Sequence, residues 1–243
     1  MKWVWFRSQP PFSGRSSRAF EPSRLRYRPV ALLFDAGDVL YHRPRRGKAL
    51  AAFLAQHGLS SATPDGRRLA DLKRRAHAGE ITKETYQDAV LELHGVSNPA
   101  LKLDGRSIMD EGQRDIEFFE GVPETLKRLK AAGLRLGVVT NTYDATADKL
   151  EWFRRAGIDS VWDGFATSCE LKVCKPDARI YLAALNPLGV QSKEAAFVGH
   201  AAVELQGAKA LGMTTVAFNR DDERVTADHV ISSFTELLPL VGV

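Results

Sequence analysis

Cysteine, methionine and long apolar runs are scarce in this sequence. Two cysteines, Cys169 and Cys174, and three methionines stand among 243 residues. Two thiols with no CxxC pair and no neighbouring histidine build neither a disulfide framework nor a zinc site. They point to reduced thiols in an intracellular, cytoplasmic protein. No run of about 18 apolar residues occurs, which excludes a membrane helix from the expectations. Acids are nearly missing from residues 1–29, where seven basic side chains meet only Glu21, a net charge of +6. That segment alone makes the chain's formal charge +4. The remainder holds 27 Lys and Arg against 29 Asp and Glu and is slightly acidic. It offers no electrostatic reason to expect nucleic acid as a partner.

Residues 1–29 also hold four prolines and several serines, with no sustained apolar period. Basic, Ser-rich, acid-poor composition suits an organelle-targeting segment. A disordered tail, or an upstream start, suits it as well. The segment is set apart as an extension, with organelle import one of its readings.

What the rest contains is alternation. Val30–Phe34 is a short apolar run ending at Asp35, and four similar runs follow: Leu134–Thr140, Gly164–Thr167, Ala195–Gly199 and Thr214–Phe218. A weaker sixth is His229–Ile231. Runs this short, apolar on both faces, predict buried strands. Between them Pro123–Ala132, Thr146–Ala156, Asp177–Leu188 and Glu204–Leu211 carry helical spacing, two of them stopped by Gly133 and Gly212. Strand–helix alternation predicts an α/β fold: a three-layer, Rossmann-like parallel sheet over residues 30–42 and 118–243. Residues 43–117 break the rhythm. Leu50, Phe53, Leu54 and His57 fall at helical spacing, as do Tyr86, Ala89, Val90 and Leu93 after Thr82, and Leu69, Leu72 and Ala76 sketch a third helix. An all-helical insert, 43–117, is expected there.

Ligands of an open parallel sheet bind at the carboxyl ends of its strands. Those ends offer Asp35, then Thr140 and Asn141, then Lys175, then His200 with Glu204 a helical turn on. A carboxylate can attack phosphorus, a hydroxyl and an ammonium can hold the equatorial oxygens, and further acids can hold Mg²⁺. Asp35 is the candidate nucleophile. His200 is either a strand-end polar residue bonded to a neighbour or part of the site. The basic run Arg43, Arg45, Arg46, Lys48 is either a solvated hinge face or a grip for an anion. Lys172 competes with Lys175 for the cationic role, and the Lys-Pro-Asp context favours Lys175. The other histidines, including His77, read as surface or capping residues.

At this point the sequence resembles the haloacid dehalogenase-like (HAD) hydrolase superfamily. Asp35–Leu40 resembles its first motif, Val138–Asn141 its second, Lys175–Asp177 its third, and Phe197–His200 with Glu204, Gly207 and Ala208 its fourth. The long gap between the first two matches the subclass with a helical cap inserted there. The resemblance implies Asp35, Thr140 and Lys175 as catalytic residues, Asn141 and Gly37 as substrate contacts, and Asp35, the Gly37 carbonyl and Glu204 as ligands of Mg²⁺. Two departures stand out. The family's second motif I aspartate, its general acid/base, falls at Gly37, with Asp38 one residue further on as an uncertain substitute. Its first motif IV acid falls at His200, a poor Mg²⁺ ligand that tilts preference toward Mn²⁺.

The expected activity is a metal-dependent phosphatase acting on a small phosphorylated molecule through a phospho-Asp35 intermediate. A metal-independent 2-haloacid dehalogenase-type hydrolase is the first alternative. A catalytically impaired fold used for binding or regulation is the second.

Overall fold

The computed structural model describes residues 28–62 and 65–243. The expected extension, 1–29, therefore lies outside the described residues except for its last two. Of these, Arg28 donates from its guanidinium to the Ala132 carbonyl at 3.0 Å.

The chain opens with β1 (Ala31–Phe34) and β2 (Tyr41–His42), followed by four helices, α1 (Lys48–Gln56), α2 (Gly66–His77), α3 (Lys83–Leu93) and α4 (Pro99–Arg114). It returns through β3 (Glu117–Phe118) and then alternates. In order come α5 (Val122–Ala131), β4 (Arg135–Thr140), α6 (Thr146–Arg154), β5 (Gly164–Thr167), α7 (Ser168–Leu171) and α8 (Ala178–Leu185). The chain ends with β6 (Ala195–Gly199), α9 (Ala202–Ala210), β7 (Thr214–Ala217), β8 (His229–Val230) and α10 (Leu237–Leu240). Six strands form one sheet in the order β5-β4-β1-β6-β7-β8, and every pairing in it is parallel. This is the three-layer α/β architecture expected. Among the described residues no helix is long and apolar enough to cross a membrane.

The layers follow from strand alternation. Leu32 and Phe34 of β1, with Leu136 and Val138 of β4, point to one face, where α5, α6 and α10 supply Leu126, Phe153 and Leu237. Ala31 and Leu33 point to the other, where α8 and α9 supply Ile180, Ala184 and Leu205. β1 lies between β4 and β6, with Phe34 opposite Val138 and Val198. Asp35 thus emerges at the centre of the sheet, where the chain switches from one side of β1 to the other. That is the crevice in which such sheets bind ligands.

Helices α1–α4 carry two apolar clusters of their own, one around Phe53, Leu54, Leu91 and Val96, the other around Leu72, Ala76, Tyr86 and Val90. Apolar spacing foretold α1, α2 and α3 but not α4, the longest of the four. Leu103 of α4 faces solvent and Gly105 stands on its buried face. A Cβ at Gly105 would lie 2.6 Å from Leu91, so α4 packs through a gap in its side chains rather than a stripe. The helical insert also meets the sheet domain directly. Lys83 bridges Asp110 at 2.8 Å and Asp144 at 3.0 Å, and Tyr86 stacks on Tyr143 at 4.8 Å between ring centroids. Arg43–Lys48 and the antiparallel pair β2–β3 form the passage between the two parts. Two-residue strands are too short to leave a periodic signal, so this pair was not legible in the sequence.

Candidate active site

Each site residue is placed by the end of a strand. Asp35 follows β1, and its backbone N–H donates to the Val198 carbonyl at 3.0 Å, so the carboxylate starts from a fixed point. The residue is 5% exposed. Oδ1 accepts from the Ala36 N–H at 2.7 Å and pairs with Lys175 Nζ at 2.7 Å. Oδ2 faces His200 Nε2 at 3.3 Å. Lys175 also pairs with Glu204 Oε2 at 2.7 Å, and so spans two carboxylates. Lys172, by contrast, caps α7 in a left-handed conformation, is exposed and lies outside the cavity.

Asn141 holds this arrangement together. Its Oδ1 accepts from the Lys175 N–H at 2.8 Å, while its Nδ2 donates to the Lys175 carbonyl at 3.3 Å and to Glu204 Oε1 at 3.4 Å. In this structure the Asn141 side chain is occupied in fixing the Lys175 segment. Gly207 of α9 supports that segment from behind. A Cβ there would lie 2.7 Å from Pro176 Cβ and 2.9 Å from the Pro176 carbonyl oxygen, so only glycine lets α9 approach so closely. Thr140, buried at the end of β4, makes no hydrogen bond through its hydroxyl among the described residues, although it lines the cavity. A hydroxyl left open at a cavity wall is free to donate to a ligand that enters it.

The electrostatics follow from burial and pairing. Burial pushes the Asp35 carboxyl up, but the Lys175 ammonium and the His200 contact outweigh it and hold it well below the usual carboxylate range. Lys175 is pushed down by burial and raised by its two carboxylates, which prevail. Burial raises Glu204, and Lys175 opposes that only in part. His200 is lowered by burial, but its bonds to Asp35 and Asp221 push it up to about 9. Its Nδ1 lies 2.6 Å from Asp221 Oδ1, so each ring nitrogen faces a carboxylate and the ring is an imidazolium at neutral pH. Asp221 escaped sequence reasoning. It lies four residues beyond β7, and following the strand-end rule to that fifth strand would have reached it.

Asp35, Gly37, Asp38, Thr140, Asn141, Lys175, His200 and Glu204 all line one cavity of about 830 Å³. Its other wall comes from α1, α2, α3 and α4, including Leu50, Lys73, His77, Tyr86 and Met109. Asp38 adopts a left-handed conformation, φ 59°, with its carbonyl accepting from Asn219 Nδ2 at 2.8 Å. His77 is no surface residue. It is half-buried at the cavity wall with its ring 5.7 Å from that of Tyr143, and burial holds it down at about 4. Asp35, His200 and Glu204 each offer a ligand atom within 4.8 Å of the others, a cluster that can hold a metal ion.

A parallel sheet with a carboxylate at its central strand end, an ammonium paired with it and a hydroxyl on the adjoining strand is the framework of an α/β hydrolase. The haloacid dehalogenase-like hydrolase family model matches residues 30–212, and the chain belongs to that family. It is 34% identical to a glyceraldehyde 3-phosphate phosphatase of Methanocaldococcus jannaschii, over 86% of this chain and 96% of that protein. It is 32% identical to (S)-2-haloacid dehalogenase 4A of Burkholderia cepacia, over 67% of this chain and 70% of that protein. Among solved structures, a 2-haloacid dehalogenase from Pseudomonas syringae aligns with a TM-score of 0.65 at 22% identity, over 87% of this chain and 98% of that one. That likeness concerns the fold.

Proposed function

We propose that the protein hydrolyses phosphate monoesters, with Asp35 as nucleophile and residues 43–117 as a cap over the site. The observation that carries this is the pairing of a buried, ionised Asp35 with Lys175 beside an unpartnered Thr140 hydroxyl, all opening into one large cavity. A two- or three-carbon haloacid would fill little of that space.

Asp35 attacks phosphorus in line, the P–O bond to the alcohol breaks, and the alkoxide leaves and takes up a proton. Water then attacks the phosphorus of the aspartyl phosphate, releasing inorganic phosphate and restoring the carboxylate. Lys175 holds Asp35 oriented through Oδ1 and stands ready for the equatorial oxygens, where charge spreads in the transition state. Thr140 donates to one of those oxygens. Asn141 and Glu204 act on Lys175, fixing its backbone and its ammonium. Gly37 leaves the leaving-group side without a proton donor two residues after the nucleophile. Asp38 lines the cavity on the same loop.

Asp35 and Glu204, with the Gly37 carbonyl as a third ligand, would hold a divalent ion, and His200 would join them only where metal binding displaces its proton. Once deprotonated, that imidazole would move preference from Mg²⁺ toward Mn²⁺. Such an ion, when bound, offsets repulsion between the carboxylate and the phosphoryl oxygens.

The test is turnover of a phosphate ester panel in Mn²⁺ and in Mg²⁺, with borohydride trapping of the acyl phosphate on Asp35. Folded, metal-loaded protein that turns over none of the esters ends this reading. The second reading, a carbon–halogen hydrolase, is favoured by the cation already seated on Asp35 Oδ2, which balances charge with no metal. It predicts halide release from a 2-haloacid in EDTA, where the phosphatase reading predicts none.

A further inference from the structure

The basic run at the start of the insert divides in the structure. Arg45 turns outward to pair with Asp115 and Glu117, and Lys48 opens α1 away from the cavity. Arg43 and Arg46 line the cavity, and α2 adds Lys73 to the same wall.

The charges of that cavity do not balance. Asp35 and Glu204 are taken by Lys175, Asp144 by Lys83 and Lys149, and the wall residue Arg74 by Asp71 and Glu80. Arg43, Arg46 and Lys73 form no ion pair among the described residues, and Asp38 is the one lining acid left to face them. Arg43 is held in place without an acid. Its Nε donates to the Gln113 carbonyl at 3.1 Å, and its guanidinium lies over the Tyr41 and Trp152 rings at 5.3 and 5.6 Å. Its terminal nitrogens make no hydrogen bond among the described residues. The three cations feel one another, since burial and then the charges of Arg46 and Arg43 push the Lys73 ammonium down. Like charges gathered in a concave wall repel until an anion enters.

We propose that Arg43, Arg46 and Lys73 form a second anion subsite, so that the substrate carries a phosphoryl group at Asp35 and a further phosphate or carboxylate at its other end. The chemical class is a phosphorylated acid or a bisphosphate. The reacting end rests on the phosphatase reading, whereas the distal subsite stands on the charges of the cavity wall. Arginine suits such a site because its planar fork meets carboxylate and phosphate through two parallel bonds.

The test uses matched probes on the full chain carrying Asp35→Asn, which binds without turning over. Calorimetry compares fructose 1,6-bisphosphate with fructose 6-phosphate, and 3-phosphoglycerate with glycerol 3-phosphate. The doubly anionic member of each pair binds roughly tenfold to a hundredfold more tightly, as expected for one or two charge-assisted contacts. Adding Arg46→Gln or Lys73→Met brings that ratio close to one, while Arg45→Gln, which alters an outward-facing arginine, preserves it. The kcat/KM ratio of the intact enzyme on the same pairs reads the preference a second way, should the Asp35→Asn chain fold poorly. Equal affinities, a preference that survives both cavity variants, or no binding of any probe would each overturn the subsite. Turnover of p-nitrophenyl phosphate without a preference leaves the phosphatase reading standing and removes the subsite. A preference in binding with no ester turned over does the reverse.

Discussion

Replacing Gly37 by aspartate would test whether proton delivery limits this site. A Cβ built at Gly37 meets nothing within 4 Å, and the residue is half-buried on the cavity wall two positions after Asp35. Its φ lies outside the left-handed range, so an L side chain enters without backbone strain. A positioned general acid contributes about 10²–10⁴-fold, or roughly 3–5 kcal/mol of barrier. The new carboxyl must be protonated at the working pH, beside Lys175 and His200, which favour its ionised form. The gain therefore belongs at or below the low end of that range, about tenfold to a hundredfold in kcat for an alkyl phosphate. An aryl ester such as p-nitrophenyl phosphate has a leaving group that departs without a proton and should change by about threefold or less. Steady-state kinetics on both esters, with Gly37→Asn as the isosteric control, reads the difference. Equal gains on both esters, or no gain on the alkyl ester while the melting temperature holds, would refute the argument.

Four further outcomes follow from the same geometry. Lys175→Met strands Asp35 and Glu204 as neighbouring buried carboxylates. Denaturant titration should show a loss of about 3–5 kcal/mol, and kcat should fall by about 10²-fold or more. Gly207→Ala drives a methyl into Pro176 and should cost about 1–3 kcal/mol with a drop in kcat through the displaced Lys175 segment; unchanged melting and kinetics would disprove that close packing. His77 is held at about 4 against its ordinary 6.5, so between those values only the unfolded chain takes the proton. Stability should fall by about 2 kcal/mol as pH drops from 6.5 to 4, allowing for partial exposure, and a His77→Phe chain followed by thermal melts should lack that acid limb. Stripping divalent ions with EDTA should abolish ester hydrolysis, and the advantage of Mn²⁺ over Mg²⁺ in restoring it should grow as pH rises toward about 9, where His200 gives up its proton; equal recovery across that range would remove the imidazole from the ligand set.

What the sequence made legible was whatever depends on burial along a single element. Strands β1, β4, β5, β6 and β7 begin and end within about a residue of their apolar runs, because a strand buried on both faces leaves no room for polar residues. The strand-end rule then singled out Asp35, Thr140, Asn141, Lys175, His200 and Glu204, the family resemblance added Gly37 and Asp38, and all eight line one cavity. What escaped depends on which faces meet. Periodicity could not find α4, whose packing runs through Gly105, nor distinguish Arg45 from Arg43 and Arg46, of which only the latter two line the cavity. Lys73 stands in a helix with four other basic residues and carries no mark of its own. The bonds that fix Asn141 span 34 and 63 residues of chain and could be seen only in three dimensions.

The two departures from the family pattern act in the same direction. Glycine at 37 and histidine at 200 each remove a carboxylate from the cavity, and the Asp35 and Asp221 carboxylates keep the imidazole cationic. On the facing wall Arg43, Arg46 and Lys73 stand without acidic partners. A singly phosphorylated substrate would answer the cations nearest Asp35 and leave that wall uncompensated, whereas a doubly anionic one answers both. Gly37→Asp therefore carries a second consequence. By returning one negative charge to the cavity it should raise KM for fructose 1,6-bisphosphate more than for fructose 6-phosphate, by about two- to fivefold at low salt, a gap that narrows as ionic strength rises. A rise in KM that is the same for both sugars, or independent of salt, would mean that the added carboxylate acts by crowding, and the charge argument linking the two departures to the basic wall would fall.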